Sequence, residues 1–192
     1  MIKILARRPL VVALAGPNGA GKSSFYRTYL RPSGLRFVNA DVLSLELQVD
    51  SYEAAKVADR LRRQLIGECE SFIFETIFSD PIGDKLAFLK EGESSGYTVV
   101  LFFIGIDSPQ VSDERVAIRV SKGGHDVPVA KIVERFPRVM HNLQRALKEL
   151  SNVRVYDNSD LTQPYRLAAI REDAHDLELY KPIPAWLRPL LP

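Results

Sequence analysis

Short apolar runs alternate with amphipathic segments along this chain, which is typical of a parallel sheet whose strands are joined by helices. Strands are predicted where the apolar residues are contiguous, at 10–15, 35–39, 71–76, 97–106 and 153–157, with a further candidate at 167–171. The run Tyr97–Ile106 is the most apolar and predicts a central strand buried on both faces. We therefore expect an α/β fold, with helices on both faces of a mostly parallel, twisted sheet.

Helices are predicted from their caps and from the period of apolar positions, at 22–29, 50–67, 80–96, 108–121 and 128–150. Asp50 and Glu53 have the spacing of a capping box. Gly123-Gly124 is expected to end one helix, and Pro137 to kink or interrupt the last. The whole of 1–192 is interpreted as one domain, with a helical lid at about 108–150. A proline-rich, extended tail at about 181–192 is expected to pack through Trp186.

Composition narrows the class of protein without identifying it. Of the 192 residues, 46% are hydrophobic and 26% charged, which is ordinary for a globular protein. A net charge of +2 predicts no general affinity for nucleic acid or membrane surfaces. The single cysteine, Cys69, excludes an internal disulfide and a cysteine-ligated zinc site, and we expect it in the core of a cytoplasmic protein.

The most specific motif follows the first predicted strand. It fits the phosphate-binding loop pattern G-x-x-x-x-G-K-[ST] and comprises Gly16, Pro17, Asn18, Gly19, Ala20, Gly21, Lys22 and Ser23. The loop backbone and the following helix N-terminus suit nucleotide phosphates. Lys22 is expected to reach the β- and γ-phosphates, and the Ser23 hydroxyl to bind Mg²⁺. The motif therefore predicts binding of a nucleoside triphosphate.

Other sequence elements separate the classes of phosphate-loop protein. No Asn-Lys pair is present to read guanine, which argues against a signalling GTPase. The segment Ser121–His125 faintly resembles a transporter ATPase signature, but a charged, helical segment follows it instead of an apolar strand. A small kinase needs a carboxylate near the loop and mobile cations above it. This chain offers both.

The candidate carboxylates lie at predicted strand ends, where open α/β sheets bind their ligands. Asp41 is placed to take or orient the proton of an acceptor hydroxyl, with a turn or cap role as the alternative. Glu75 and Thr76 end the third strand at the same edge, and a charged Glu75 is more plausible facing a site than a core. Asp107 resembles a Walker B aspartate, but its place before Ser108 favours capping.

The candidate cations lie in the predicted lid. Arg115 and Arg119 are four residues apart on one helix face, and Arg135 lies in the next helix. A helix pair hinged at glycines could bring arginines onto a triphosphate. The alternative is a solvated helix face, which we expect of Arg115 before Arg119. His125 is expected to organise the turn between the helices.

Five segments together resemble the zeta toxin family of kinases. They are Gly-Pro-Asn-Gly-Ala-Gly-Lys-Ser-Ser (16–24), Phe-Val-Asn-Ala-Asp (37–41), Phe-Glu-Thr (74–76), Gly-Gly-His-Asp-Val-Pro (123–128) and Tyr-Asp-Asn-Ser (156–159). They follow in order over most of residues 10–160. The resemblance implies a three-layer P-loop kinase fold, ATP and Mg²⁺ as cofactors, and phosphorylation of the 3′-hydroxyl of a UDP-N-acetyl amino sugar.

The resemblance also implies roles for individual residues. Lys22, Asp41, Arg119 and Arg135 would be catalytic, with Asp41 activating the acceptor. The substrate would contact Asn39, Asp41, Glu75 and Thr76. Ser24 would join the phosphate loop at the nucleotide, and Asn158 would lie on the adenine side. An antitoxin that covers the ATP site is a further implication. The chain is shorter than the plasmid-borne toxins of the family and looks closer to its small chromosomal members. Part of the sugar-binding region of the plasmid-borne toxins is therefore expected to be missing from this chain.

Two alternatives to nucleotide-sugar phosphorylation stay open at this point. One is a kinase for another hydroxyl metabolite, such as a sugar acid. The other is a nucleotide-dependent binding module that transfers no phosphate.

Overall fold

The strands carry apolar side chains on both faces, and the sheet accordingly lies between two layers of helices. The computed structural model describes residues 2–121, 123 and 126–192, and seven strands within these residues form one sheet. They are β1 (Leu10–Ala15), β2 (Arg36–Val38), β3 (Phe72–Thr76), β4 (Thr98–Gly105), β5 (Val153–Asp157), β6 (Arg166–Arg171) and β7 (Glu178–Leu179). Their order is β2-β3-β1-β4-β5-β6-β7, and the first five strands in that order are parallel. β6 and β7 pair antiparallel.

Helices occupy most of the intervals between the strands. They are α1 (Lys22–Phe25), which continues as a π-helical turn (Tyr26–Leu30), α2 (Ala40–Leu47), α3 (Ser51–Gly67), α4 (Asp84–Ser94), α5 (Pro109–Ser121) and α6 (Val129–Glu149). Within the described ranges, no helix combines the length and the apolar character that crossing a membrane requires. The predicted α/β architecture is confirmed, whereas its division into one domain with a lid and a tail stays a prediction.

Successive residues of each central strand enter different cores, as the period of two in a strand requires. Val11, Ala13 and Ala15 of β1 pack with residues of α3, α4 and α6. Leu10, Val12 and Leu14 pack on the opposite face, where the α1 segment contributes Phe25 and Leu30. All six residues of β1 are buried. This burial on both faces gives the rigid strand from which the phosphate loop emerges.

Several boundaries differ from the predictions. The helix predicted from Asp80 begins at Asp84, behind Gly83, because residues 77–83 form a loop that packs Phe78 into the core. Asp41 does not simply follow β2: it lies in the first turn of α2. Helix α6 is continuous through Pro137, so Pro137 does not interrupt the helix, and the alternative of a kink stays a prediction.

Two predicted roles for single residues are also wrong. Cys69 is exposed at the end of α3 rather than buried in the core. Asp107 does not cap α5: the Ser108 hydroxyl accepts a hydrogen bond of 3.3 Å from the backbone nitrogen of Val111. The short side chain at the start of α5 therefore satisfies the helix terminus and leaves Asp107 exposed.

The C-terminal segment packs against the sheet as expected of Trp186, although Arg188–Leu190 form a 3₁₀ turn rather than extended chain. The Trp186 ring lies 6.2 Å from the Phe103 ring, and its indole nitrogen donates to Asp157 over 3.0 Å. The ring also covers Gly105 so closely that a Cβ atom there would overlap it. The absence of a side chain at Gly105 is thus required by this packing.

We expect Gly105→Ala to lower the free energy of unfolding by about 1–3 kcal/mol, because the new methyl group must displace the Trp186 ring. Chemical denaturation measures the change. Gly67→Ala is the matched control: Gly67 ends α3 with no atom near its Cβ position, and alanine there should be neutral or stabilising by up to about 1 kcal/mol. Equal effects of the two substitutions would contradict the packing argument.

Candidate functional site

The phosphate loop lies where β1 ends and α1 begins, at the carboxyl edge of the parallel strands. Gly21 immediately precedes α1 with a φ of 93°, a left-handed conformation that favours glycine. A Cβ atom at Gly21 would also lie 2.7 Å from the Asn158 amide nitrogen and 2.9 Å from the Tyr165 hydroxyl. The loop therefore needs glycine here for two reasons, its backbone conformation and the side chains packed behind it.

Those side chains satisfy the loop's carbonyl oxygens. Three such carbonyls accept hydrogen bonds from distant side chains: Asn18 O from Ser112 Oγ at 2.6 Å, Ala20 O from Asn158 Nδ2 at 2.8 Å, and Gly21 O from Tyr165 OH at 3.0 Å. Carbonyls held outward leave the peptide N–H groups free to turn inward, the arrangement that binds phosphate oxygens. These three hydrogen bonds thus fix the orientation of the peptide groups that carry the three carbonyls.

Arg115 ties the same elements together. Its guanidinium donates to the carbonyl oxygens of Asn158 and Ser159 over 2.7 and 2.8 Å. The solvated position expected of Arg115 is therefore wrong, because the side chain is half-buried between α5 and the loop after β5. Asn158, predicted to contact the nucleotide, has its side-chain amide engaged with the phosphate loop, and its place beside adenine stays a prediction.

Lys22 lies buried at the centre of the loop. Its ammonium group donates to the carbonyls of Gly16 and Pro17 over 2.9 and 3.0 Å and lies 4.0 Å from a carboxylate oxygen of Glu75. Burial lowers the pKa of Lys22, and the negative charges of Glu75 and Asp41 act in the opposite direction. The side chain is thus a buried cation whose hydrogen bonds can be exchanged for phosphate oxygens.

Glu75 joins the end of β3 to the phosphate loop. Its Oε2 accepts hydrogen bonds from Asn39 Nδ2 at 3.0 Å and from Ser23 Oγ at 3.4 Å. The Ser23 hydroxyl and this carboxylate are oxygen ligands of the kind that Mg²⁺ prefers. No group of three or more His, Cys, Asp or Glu residues that could hold a metal occurs among the described residues.

Asn39 positions Asp41. The Asn39 side-chain oxygen caps α2 by accepting hydrogen bonds from the backbone nitrogens of Asp41 and Val42 at 2.7 and 3.2 Å. The other end of the same amide binds Glu75. Asn39 therefore orders the two predicted carboxylates, and Asp41 stays exposed at the helix start.

A cavity of about 550 Å³ lies beside these residues. Its walls include the predicted residues Lys22, Asn39, Asp41, Glu75, Thr76 and Arg135. Lys131 and Arg138 of α6 line it as well. Lys22 of the phosphate loop, the exposed carboxylate of Asp41 and the cations of α6 thus line the same cavity.

Arg119 belongs to the same electrostatic environment, since its charge contributes to lowering the pKa of Lys22. The segment between α5 and α6 includes Lys122, Gly124 and His125, which lie outside the described residues. The predicted break at Gly123-Gly124 and the predicted role of His125 both fall in this segment. Arg119 and Arg135 lie in the helices on either side of it.

Sequence reasoning missed several residues that build the site. Ser112 and Tyr165 brace the phosphate loop from 94 and 144 residues away, and nothing in their local sequence signals that contact. Arg62 did carry a signal. It lies four residues after Ala58 on the apolar side of α3, where a charged residue is unexpected, and it lines the cavity.

A comparison with protein families matches residues 39–169 to a family model described as Zeta toxin. The match contains Asp41, Glu75, Arg119 and Arg135, and it begins after the phosphate loop. No curated protein sequence matches the chain.

Solved structures show the same fold at low sequence identity. A chain of the AvrRxo1-ORF1:-ORF2 complex with ATP matches with a TM-score of 0.71 and 18% identity over 92% of this chain, which spans 63% of that one. A chain of the PezAT chromosomal toxin-antitoxin system of Streptococcus pneumoniae matches with a TM-score of 0.58 and 21% identity, covering 79% of this chain and 69% of the other.

A third structure, from Chloroflexus aurantiacus and provisionally assigned as a kinase, matches with a TM-score of 0.59. It is 15% identical and covers 82% of this chain and 92% of its own length. The three matches support the predicted three-layer P-loop fold.

We expect Tyr165→Phe to weaken ATP binding about two- to tenfold, because it removes one of the two hydrogen bonds to the Gly21 carbonyl and leaves the bond of 2.9 Å from the Phe25 backbone nitrogen. Equilibrium titration with ATP measures the affinity. Tyr29→Phe is the matched control, since the Tyr29 ring packs on the same Phe25 ring and is largely exposed. The bracing role would be refuted by equal ATP affinities of the two variants.

Proposed function

The chain belongs to the zeta toxin family, and on that basis we propose that it is a kinase that transfers the γ-phosphate of ATP to a hydroxyl group. The observation that carries the proposal is that Lys22 of the phosphate loop and the exposed carboxylate of Asp41 line one cavity. That cavity extends beyond the loop to α3 and α4, which leaves room for an acceptor. A nucleotide-binding module would not need this second space.

The acceptor is proposed to be a UDP-N-acetyl amino sugar, following the family. The similar AvrRxo1 and PezAT chains come from two-component complexes or systems, which supports a second proposal, an antitoxin partner for this chain. This chain spans less than two thirds of the AvrRxo1 complex chain. The comparison therefore supports the fold, whereas the acceptor and the antitoxin partner are proposals.

Different residues are proposed to bind the phosphates and to hold the metal ion. Lys22 exchanges the carbonyls of Gly16 and Pro17 for oxygens of the β- and γ-phosphates. Ser23 and Glu75 are the residues that fit Mg²⁺, which when bound neutralises charge on the phosphates.

Asp41 orients the acceptor hydroxyl and takes its proton as the acceptor oxygen bonds to the γ-phosphorus. The bond from that phosphorus to the β–γ bridging oxygen breaks, and ADP leaves with the bonding electrons. Arg119 and Arg135 stabilise charge on the transferred group.

Asp41→Asn should reduce kcat by about 10²–10⁴-fold, because the amide cannot accept the proton, while ATP affinity changes by less than about twofold. A coupled assay of ADP release and an ATP titration give the two values. Glu46→Gln is the control, since Glu46 is exposed on the same helix and does not line the cavity. Full activity of Asp41→Asn would show that another group serves as the base.

The acceptor class is tested by incubating the protein with ATP, Mg²⁺ and a panel of UDP-sugars, sugars and hydroxy acids. We expect one phosphate to be added to a UDP-N-acetyl amino sugar, with an equal amount of ADP, as measured by mass spectrometry. Lys22→Ala controls for contaminating kinases, because it should lose both ATP binding and transfer. Turnover of a hydroxy acid without any UDP-sugar would reject the nucleotide-sugar acceptor.

A further inference from the structure

The cavity continues past Asp41 and Glu75 to a wall that takes no part in the transfer described above. This far wall is formed by Arg62 of α3, Asp80 of the β3–α4 loop and Lys85 of α4. Ala55 and Ala58 of α3 line the space beside them.

Arg62 is a buried cation whose hydrogen bonds the protein leaves incomplete. Only 4% of the residue is exposed, and the guanidinium lies over the Phe74 ring, 5.0 Å from its centroid. One terminal nitrogen donates to Asp59 over 2.8 Å, whereas the buried Nε has no hydrogen-bond partner among the described residues. Burial lowers the pKa of Arg62 and Asp59 raises it, as expected of a cation held out of water.

Arg62 and Lys85, the two cations of the far wall, share one ion-pair partner. Asp59 is shared by three cations: Arg62 at 2.8 Å, Arg63 at 3.3 Å and Lys85 at 3.6 Å. Among the described residues it is the one carboxylate within 4.0 Å of either Arg62 or Lys85, and it does not line the cavity. Two cations therefore face the cavity while their shared carboxylate lies outside its lining.

Asp80 adds a hydrogen-bond acceptor that also lacks a partner. Its Oδ1 is buried and makes no hydrogen bond among the described residues. The loop that carries it is held in place by buried Asn142 of α6, which donates to the carbonyls of Phe78 and Asp80 over 2.9 and 3.0 Å. The unpaired oxygen thus belongs to a braced loop, where an unsatisfied buried group is costly.

Building on the kinase proposed above, we propose that the far wall binds the non-reacting end of the acceptor through an anionic group. Arg62 and Lys85 hold that group, a phosphate or a carboxylate, and Asp80 accepts a hydrogen bond from a neighbouring hydroxyl or amide. The wall then selects charged acceptors over neutral sugars, because an anion gives Arg62 and Lys85 a charged partner besides the Asp59 that they share.

Equilibrium calorimetry tests the proposal on protein saturated with Mg²⁺ and a non-hydrolysable ATP analogue, which keeps anions off the phosphate loop. Two pairs of compounds serve as probes: UDP-N-acetylglucosamine against N-acetylglucosamine for phosphate, and gluconate against glucose for carboxylate. We expect one anionic compound to bind at least about tenfold more tightly than its neutral counterpart.

Lys85→Gln should weaken that binding about tenfold and leave affinity for the ATP analogue unchanged. Lys90→Gln is the matched control on the same helix, because Lys90 is exposed and paired with Glu149 over 2.8 Å, outside the cavity. Thermal unfolding of both variants checks that they fold. The pair that shows the preference distinguishes a phosphate-bearing from a carboxylate-bearing acceptor.

Three outcomes would overturn the proposal: equal affinity for charged and neutral partners, no binding of either anion, or equal effects of the two lysine substitutions. Phosphate transfer is scored separately. Charge-selective binding without phosphate transfer would contradict the proposed kinase and retain the anionic subsite. Transfer to charged and neutral acceptors alike would retain the kinase and contradict the anionic subsite.

Discussion

The site depends on one constraint of backbone chemistry: a peptide that turns its N–H toward a phosphate turns its carbonyl away and must satisfy it elsewhere. The phosphate loop meets this requirement with side chains from outside the loop, including Ser112, Asn158 and Tyr165. The ammonium group of Lys22 likewise donates hydrogen bonds to the carbonyl oxygens of Gly16 and Pro17. The loop's shape therefore depends on the wider carboxyl edge of the sheet, because α5 and the β5–β6 connection supply the side chains that support it.

A second set of hydrogen bonds links the phosphate loop to the start of α2, which carries Asp41. Asn39 binds Glu75 with its amide nitrogen and caps α2 with its oxygen, so one side chain sets the position of Asp41 relative to the loop. Glu75 in turn contacts Ser23. A displacement of β3 would consequently move Glu75 and, through Asn39, the start of the helix that carries Asp41.

Local patterns in the sequence predicted the sheet and the phosphate loop well, because six contiguous buried residues in β1 and four fixed loop positions are strong signals. Helix α2 was missed because it buries none of its residues and so has no apolar period. The start of α4 was misplaced because Asn142, far along the chain, holds residues 78–80 as a loop. The residues that brace the loop and form the far wall come together only through packing, which short-range patterns do not encode.

The continuity of α6 has a geometric consequence for the two halves of the cavity. Arg135 and Arg138 of this helix line the cavity, and Asn142, about two turns after Arg135, fixes the loop that bears Asp80. Asn142 follows Arg135 by seven positions, which corresponds to about 10.5 Å along the helix axis. If the proposed function holds, this fixed spacing along α6 would set how long an acceptor must be to reach from the far wall to the γ-phosphate of ATP.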